Sequence, residues 1–106
     1  MYADTSRGRH DGIFQPASRR PKFPDDGWAY GRKLTALADR MADFGVRMAF
    51  HHHMGTIVQT DAEIDRMMRN SGESVGLLYD TGHCLFAQGD PAGLLARHSK
   101  RVIHAH

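Results

Sequence analysis

Apolar residues recur at intervals of four and three from Tyr30 through Leu34, Leu37 and Met41 to Phe44, which predicts an amphipathic helix over about residues 27–44. Asp26 stands where it can cap the first turn, Trp28 is expected to pack at its start, and Gly45 supplies the stop. The pattern then changes. Residues 46–50 form a short apolar run ending in His51-His52-His53, too brief for a helix and suited to a buried strand. Thr60 and Glu63 make a capping box for a second helix to about Asn70, with Ile64, Met67 and Met68 on one face and Gly72 after it. Residues 75–79 repeat the strand pattern between Gly72 and Gly82. Asp90 and Pro91 read as a cap followed by proline at the first helical position, opening a helix to about Ser99, and residues 101–106 begin a third strand. Strands alternating with helices of this length predict βαβ units and a parallel sheet.

What precedes this is different in kind. Residues 5–25 carry Gly8, Gly12, Pro16, Pro21 and Pro24 among charged residues with no sustained period, and so read as a long loop behind a strand-like stub at Tyr2-Ala3-Asp4. Long loops of this sort are often functional. At 106 residues the chain is well short of the roughly 250 that a closed (β/α)8 barrel needs, and it ends inside a predicted strand. The expectation is therefore an α/β fold, specifically an internal fragment of a (β/α)8 TIM barrel with about three parallel strands and three helices. Residues 1–25 would be a strand end and loop, and residues 26–106 the βα units.

Composition narrows the class. Hydrophobic residues at 41% and charged residues at 25% suit a globular chain that can bury a core. The net charge of +2 derives mostly from Arg7, Arg9, Arg19, Arg20 and Lys22, which read as a solvated loop rather than a nucleic-acid surface. One cysteine, Cys84, excludes an internal disulfide and a zinc site of several thiolates, which favours a reducing cytoplasm. No apolar run approaches the ~18 residues of a membrane span.

The chemistry collects at one end of every predicted strand: His51 and His53 after the first, Asp80 and His83 after the second, His104 and His106 closing the third. In parallel α/β folds these carboxyl ends converge on the face where active sites sit. Alternation puts His51 and His53 on one face, and His104 and His106 likewise. Imidazoles with a carboxylate suit a divalent first-row metal such as manganese, cobalt, zinc or iron. Blander readings fit other positions. His10 and His98 read as structural, His98 because a cation at a helix C-terminus favours the dipole. His52 points away from its neighbours and reads as outer packing. Cys84 reads as a small buried apolar residue, and methionines such as Met48, Met67 and Met68 as core.

These residues carry a family resemblance. The string His51-His52-His53-Met54-Gly55-Thr56-Ile57-Val58-Gln59-Thr60 resembles a characteristic segment of the inosose (2-keto-myo-inositol) dehydratases. Leu78-Tyr79-Asp80-Thr81-Gly82-His83 is similar to the metal-strand motif of the wider xylose-isomerase-like superfamily, and Gly89-Asp90-Pro91-Ala92 and His104-Ala105-His106 follow in the expected order. The triple-histidine segment is the specific part. The Asp-Thr-Gly-His segment is shared with many sugar isomerases, epimerases and endonuclease IV relatives.

The resemblance implies a metal-dependent lyase that dehydrates a cyclitol ketone, 2-keto-myo-inositol, in myo-inositol catabolism. It implies metal ligation by Asp80 and His106, with His51 falling where many relatives have a glutamate ligand and His53 able to take that task instead. A further glutamate ligand of relatives would lie beyond residue 106, and Asp4 stands where the dehydratases have glutamate. It assigns His53 and His83 to substrate hydroxyls or proton movement, with His104 beside them at the substrate, and manganese or cobalt as the ion. The implied reaction removes the acidic proton beside the ketone, stabilises the enolate by Lewis acidity and expels the neighbouring hydroxyl. The general base is not assigned. The small-molecule substrate would be the principal partner, with no nucleic acid and no membrane, and the parent protein a possible homo-oligomer. Rival readings are a sugar isomerase or epimerase on the same scaffold, a nuclease of the endonuclease IV type, for which the ligand set is too sparse, and a non-catalytic metal-binding piece of a barrel.

Overall fold

Helix α1, Gly27–Asp43, begins where Asp26 accepts a hydrogen bond from the Ala29 amide at 2.9 Å, and ends where Gly45 takes a φ of +76°, a conformation glycine adopts without steric cost. A computed structural model describes residues 22–106; the expected stub, most of the loop and His10 lie outside the described residues. The order continues β1 Met48–His51, α2 Asp61–Arg69, β2 Val75–Tyr79, α3 Thr81–Phe86, α4 Pro91–His98, a 3-10 turn over Ser99–Arg101, and β3 Val102–Ala105. The three strands form one parallel sheet in the order β1-β2-β3, with Phe50 opposite Leu77 and His51 opposite Leu78. A bulge at Ile103 shifts the second ladder, so that Leu77 faces Val102 and Leu78 faces His104. Parallel neighbours require a crossover between them, which α2 supplies first and the α3–α4 pair second.

Alternation divides the sheet into two faces. Met48, Phe50, Val75 and Leu77 point to the helices and join Leu34, Ile64, Met67, Met68 and Leu94 in one core. His51 and Leu78 point the other way, as the register requires. The capping box of α2 forms as expected, Thr60 accepting from the Glu63 amide and the Glu63 carboxylate accepting from the Thr60 amide. Cys84 is fully buried, its thiol pushed up to about 12 by burial and by Asp61. His98 bonds Asp65 at 2.6 Å, in line with its structural reading.

Four details depart from the sequence expectations. Helix α3 was absent from them. Asp90 occupies the N-cap position of α4 but makes no side-chain capping bond. Trp28 is exposed beneath the Arg32 guanidinium, 4.0 Å from the ring centroid. Leu37 and Phe44 are also exposed, because the buried stripe of α1 runs through Gly27, Gly31, Leu34 and Ala38. Of the predicted apolar face, Leu34 is buried and Tyr30 and Met41 pack against the core, while small residues complete the stripe.

Gly31 shows why. A Cβ there would stand 1.9 Å from the Asn70 carbonyl oxygen and 2.5 Å from its carbon, which are backbone atoms that no rotamer change moves. Alanine would gain about 1 kcal/mol of helix propensity, but separating two packed helices costs about 1–3 kcal/mol or more. Gly31→Ala is therefore expected to lower the urea midpoint, and an unchanged or higher midpoint would show that α1 is free to shift.

Candidate metal and active site

Asp80 lies immediately past the end of β2 and serves as the N-cap of α3. Its Oδ1 accepts the His83 amide at 2.9 Å, which leaves Oδ2 facing outward from the cap. Three imidazole nitrogens converge on that oxygen: His51 Nε2 at 2.9 Å, His106 Nδ1 at 3.2 Å and His83 Nε2 at 3.4 Å. His51 ends β1, and His106 follows β3, its amide donating to the Tyr79 carbonyl at 2.8 Å. All three strands thus deliver a group from their carboxyl ends to one point.

His53 enters from the loop after β1. That loop is well tied: the His53 amide donates to the Val58 carbonyl, the Thr56 hydroxyl donates to the His53 carbonyl, and the Gly55 amide, at a φ of +79°, donates to Gln59 Oε1. His53 Nδ1 lies 2.8 Å from the Met54 carbonyl, a contact that needs a proton on Nδ1 and so leaves Nε2 a lone pair. Its ring sits 4.0 Å from that of His83, centroid to centroid.

The electrostatics are set by crowding. Burial, the largest single influence, acts to raise the Asp80 carboxyl. Hydrogen bonds from the His83 amide, His51 and His106 outweigh it and hold the group well below the usual carboxylate range. Burial pushes the His83 imidazole down, with His53 adding to the effect and Asp80 opposing it. His52 is pushed down to about 4, chiefly by burial, and is a neutral imidazole at ordinary pH.

Donor atoms of His51, Asp80 and His83 all lie within 4.8 Å of one another. Two ligands each about 2.1 Å from a single ion stand about 3.0 Å apart at a right angle and about 3.4 Å apart at the tetrahedral angle. The spacings around Oδ2 match that range. His83 Nδ1 is buried with no hydrogen-bond partner among the described residues, so its neighbourhood is polar but unsatisfied without another group. These residues fit a divalent cation held by nitrogen and oxygen donors.

Of the residues expected at the site, the structure brings together His51, His53, Asp80, His83 and His106. His104 is exposed and stands outside the cluster, although the register puts it across from Leu78 on the face that bears His51. His83 Nε2 lies 3.4 Å from Asp80 Oδ2, beside His51 and His106 in the same cluster. His52 does point away from its neighbours and is fully buried, in line with its reading as outer packing, but it does more than pack: its Nε2 accepts the Asp80 amide at 3.2 Å. The signal for it was a third imidazole beside the cluster, which strand parity alone set aside.

A groove of about 860 Å³ lies elsewhere: Arg47, Glu73 and Arg101 precede the three strands and line it with Arg69 and His98 at the ends of α2 and α4. It lies at the opposite end of the sheet, where basic residues complement helix C-termini.

Consecutive parallel strands, helices packed on one face and a polar cluster at the strands' carboxyl ends are the arrangement of an α/β barrel. The chain belongs to the xylose isomerase-like TIM barrel family, whose pattern it matches over residues 8–106. It is 64% identical, over its whole length and 33% of the relative, to the rhizopine catabolism protein MocC of Rhizobium meliloti. It is 45% identical to the inosose dehydratase of Lactiplantibacillus plantarum over 82% of this chain and 30% of that protein. The inosose dehydratase of Salmonella typhimurium is 43% identical over 84% of this chain and 30% of its own length. The chain thus spans about a third of the length of the curated relatives it matches. Among the described residues no helix is long and apolar enough to cross a membrane.

Proposed function

We propose that the protein is a metal-dependent hydro-lyase that removes water from 2-keto-myo-inositol in inositol catabolism. The observation that carries this reading is the convergence of His51, His83 and His106 on the Asp80 carboxylate at the strand ends, in a chain 45% identical to an inosose dehydratase. Asp80, with His51 and His106, would hold a manganese or cobalt ion, and His83 is within reach of the same position. A bound ion would supply Lewis-acid polarisation at the substrate ketone.

The remaining work falls to the chain's own side chains. His53 offers Nε2 as an acceptor because Met54 fixes its tautomer, which suits it to receive a proton or a substrate hydroxyl. His83 packs against it, and burial pushes its imidazole down, which suits it to bind a neighbouring hydroxyl or to accept a proton. His104, exposed on the same face, is given a substrate contact. The reading carries with it a cytoplasmic enzyme, in keeping with a free buried Cys84, acting on a small molecule and not on nucleic acid or membrane.

A narrower version has its own support. The 64% identity to a rhizopine catabolism protein favours a step in rhizopine breakdown that meets the same kind of ring ketone.

The test is product analysis on the whole protein supplied with 2-keto-myo-inositol and manganese or cobalt. A product lighter by one water supports the lyase. An isomer of unchanged mass moves the assignment to an isomerase or epimerase, and unchanged substrate under all metals removes the catalytic reading. His104→Ala is expected to raise KM about 3- to 10-fold, the worth of one hydrogen bond, with metal affinity unaltered. A KM equal to that of the parent would take His104 out of the site.

A further inference from the structure

We propose that His52, the middle imidazole of the triplet, is a positioning residue for the metal: by holding the Asp80 amide it sets where that carboxylate meets the ion. The inference rests on the metal-site reading above and goes beyond it, since His52 points to the other face of the sheet and touches neither ion nor substrate.

The ladder between β1 and β2 ends at the pair His51 and Leu78. Beyond it the β1 chain turns away, and the His53 amide is taken up by the Val58 carbonyl inside its own loop. The Asp80 amide, two residues past Leu78 and buried, therefore has no strand partner on that side, and a buried backbone donor needs an acceptor. His52 Nε2 supplies it at 3.2 Å. A side chain from β1 thus extends the sheet's hydrogen bonding by one step, to the residue that bears the carboxylate.

The effect on Asp80 is to fix it from two directions. His52 holds its main chain, and the His83 amide holds Oδ1 at 2.9 Å. With both fixed, Oδ2 has one place to be, and the three imidazoles of His51, His83 and His106 are arranged around that place. Removing either restraint leaves the carboxylate present but loose.

A filler role does not account for the residue. His52 is fully buried, and its Nδ1 finds no partner among the described residues. The core around it is built of Phe, Met, Ile, Leu and Val, any of which would fill space without leaving a buried N–H unpaired. The imidazole contributes an acceptor at the Nε2 position that these side chains lack. Accepting there requires the tautomer protonated on Nδ1.

The test uses the whole protein with Co2+ alone as the probe. Affinity is measured by competition with a chelator, coordination by the visible absorption of the bound ion, and stability by melting. In His52→Gln the amide oxygen reaches the place of Nε2, whereas in His52→Asn it falls short; both are polar and neutral. The Gln variant is expected to bind within about threefold of the parent. The Asn variant is expected to bind 10- to 100-fold more weakly, the range for groups that orient a ligand, with a changed absorption band and a melting temperature close to that of the Gln variant.

An Asn variant that binds Co2+ as the parent does, while Asp80→Asn loses it, overturns the role of His52 and leaves the metal site standing. Retention of Co2+ by Asp80→Asn removes the metal-site reading itself, and the inference with it. Should the Asn variant fail to fold, the ring-nitrogen shifts of His52 in the parent protein decide. A proton on Nδ1 and a bare Nε2 are expected, and a protonated Nε2 contradicts the proposal.

Discussion

Asp80→Asn is expected to lose divalent-metal binding and activity together while keeping its fold. The two oxygens of Asp80 do different work. Oδ1 caps α3 through the His83 amide, and asparagine caps a helix about as well as aspartate does. Oδ2 faces His51, His83 and His106, and there the substitution removes the only negative charge among those groups. Metal affinity should fall by at least about 100-fold, beyond the range of substitutions outside the coordination sphere, while the melting temperature of the metal-free protein moves little. Asp80→Ala should lose the ion as well, plus about 1 kcal/mol of stability from the missing cap. A metal-loaded, fully active Asn variant would remove Asp80 from the site.

Arg101→Met should have the largest effect on stability. The guanidinium donates to the carbonyls of Met68, Gly72 and Val75 and to the Ser71 hydroxyl, at distances of 2.6–3.0 Å. One side chain therefore satisfies the end of α2, the turn after it and the first residue of β2, groups that a helix terminus otherwise leaves unpaired. Each bond to a charged donor is worth about 1.5–3 kcal/mol. Because the bonds share one side chain they do not add, and a loss of about 3 kcal/mol is expected in urea denaturation. Lysine should not rescue it, since a single ammonium cannot span that fork. Arg101 lies at the amino-terminal end of the strands, so the folded fraction should retain its metal affinity. A change below about 0.5 kcal/mol would contradict the account of this turn.

Much of this architecture was legible in the sequence because its signals are local. The capping box at Thr60 and Glu63, the glycine stop at Gly45 and the apolar run of residues 75–79 each gave an element close to its observed bounds. The convergence of His51, Asp80, His83 and His106 followed from parallel topology, which places every strand's carboxyl end on one side. Failures came where the deciding contact was distant. Gly31 lies on the buried face of α1 because the Asn70 backbone comes so close there, and no spacing rule favours such a small residue over Trp28 or Phe44. Helix α3 is six residues long with no apolar period, and it forms because Asp80 is held as its cap. His52 was set aside by parity, since its partner, the Asp80 amide, lies on another strand. Strand alternation gives a side chain's direction but not what waits there.

The central claim, that the Asp80 cluster serves a metal-dependent dehydration, is tested most directly by turnover of the metal-stripped whole protein. Supplied with 2-keto-myo-inositol, the stripped protein should be inactive, and activity should rise with added Mn2+ or Co2+ to a plateau near one ion per chain, with a dehydrated product. Full dehydration with no metal present, or none at any metal concentration, would contradict the claim.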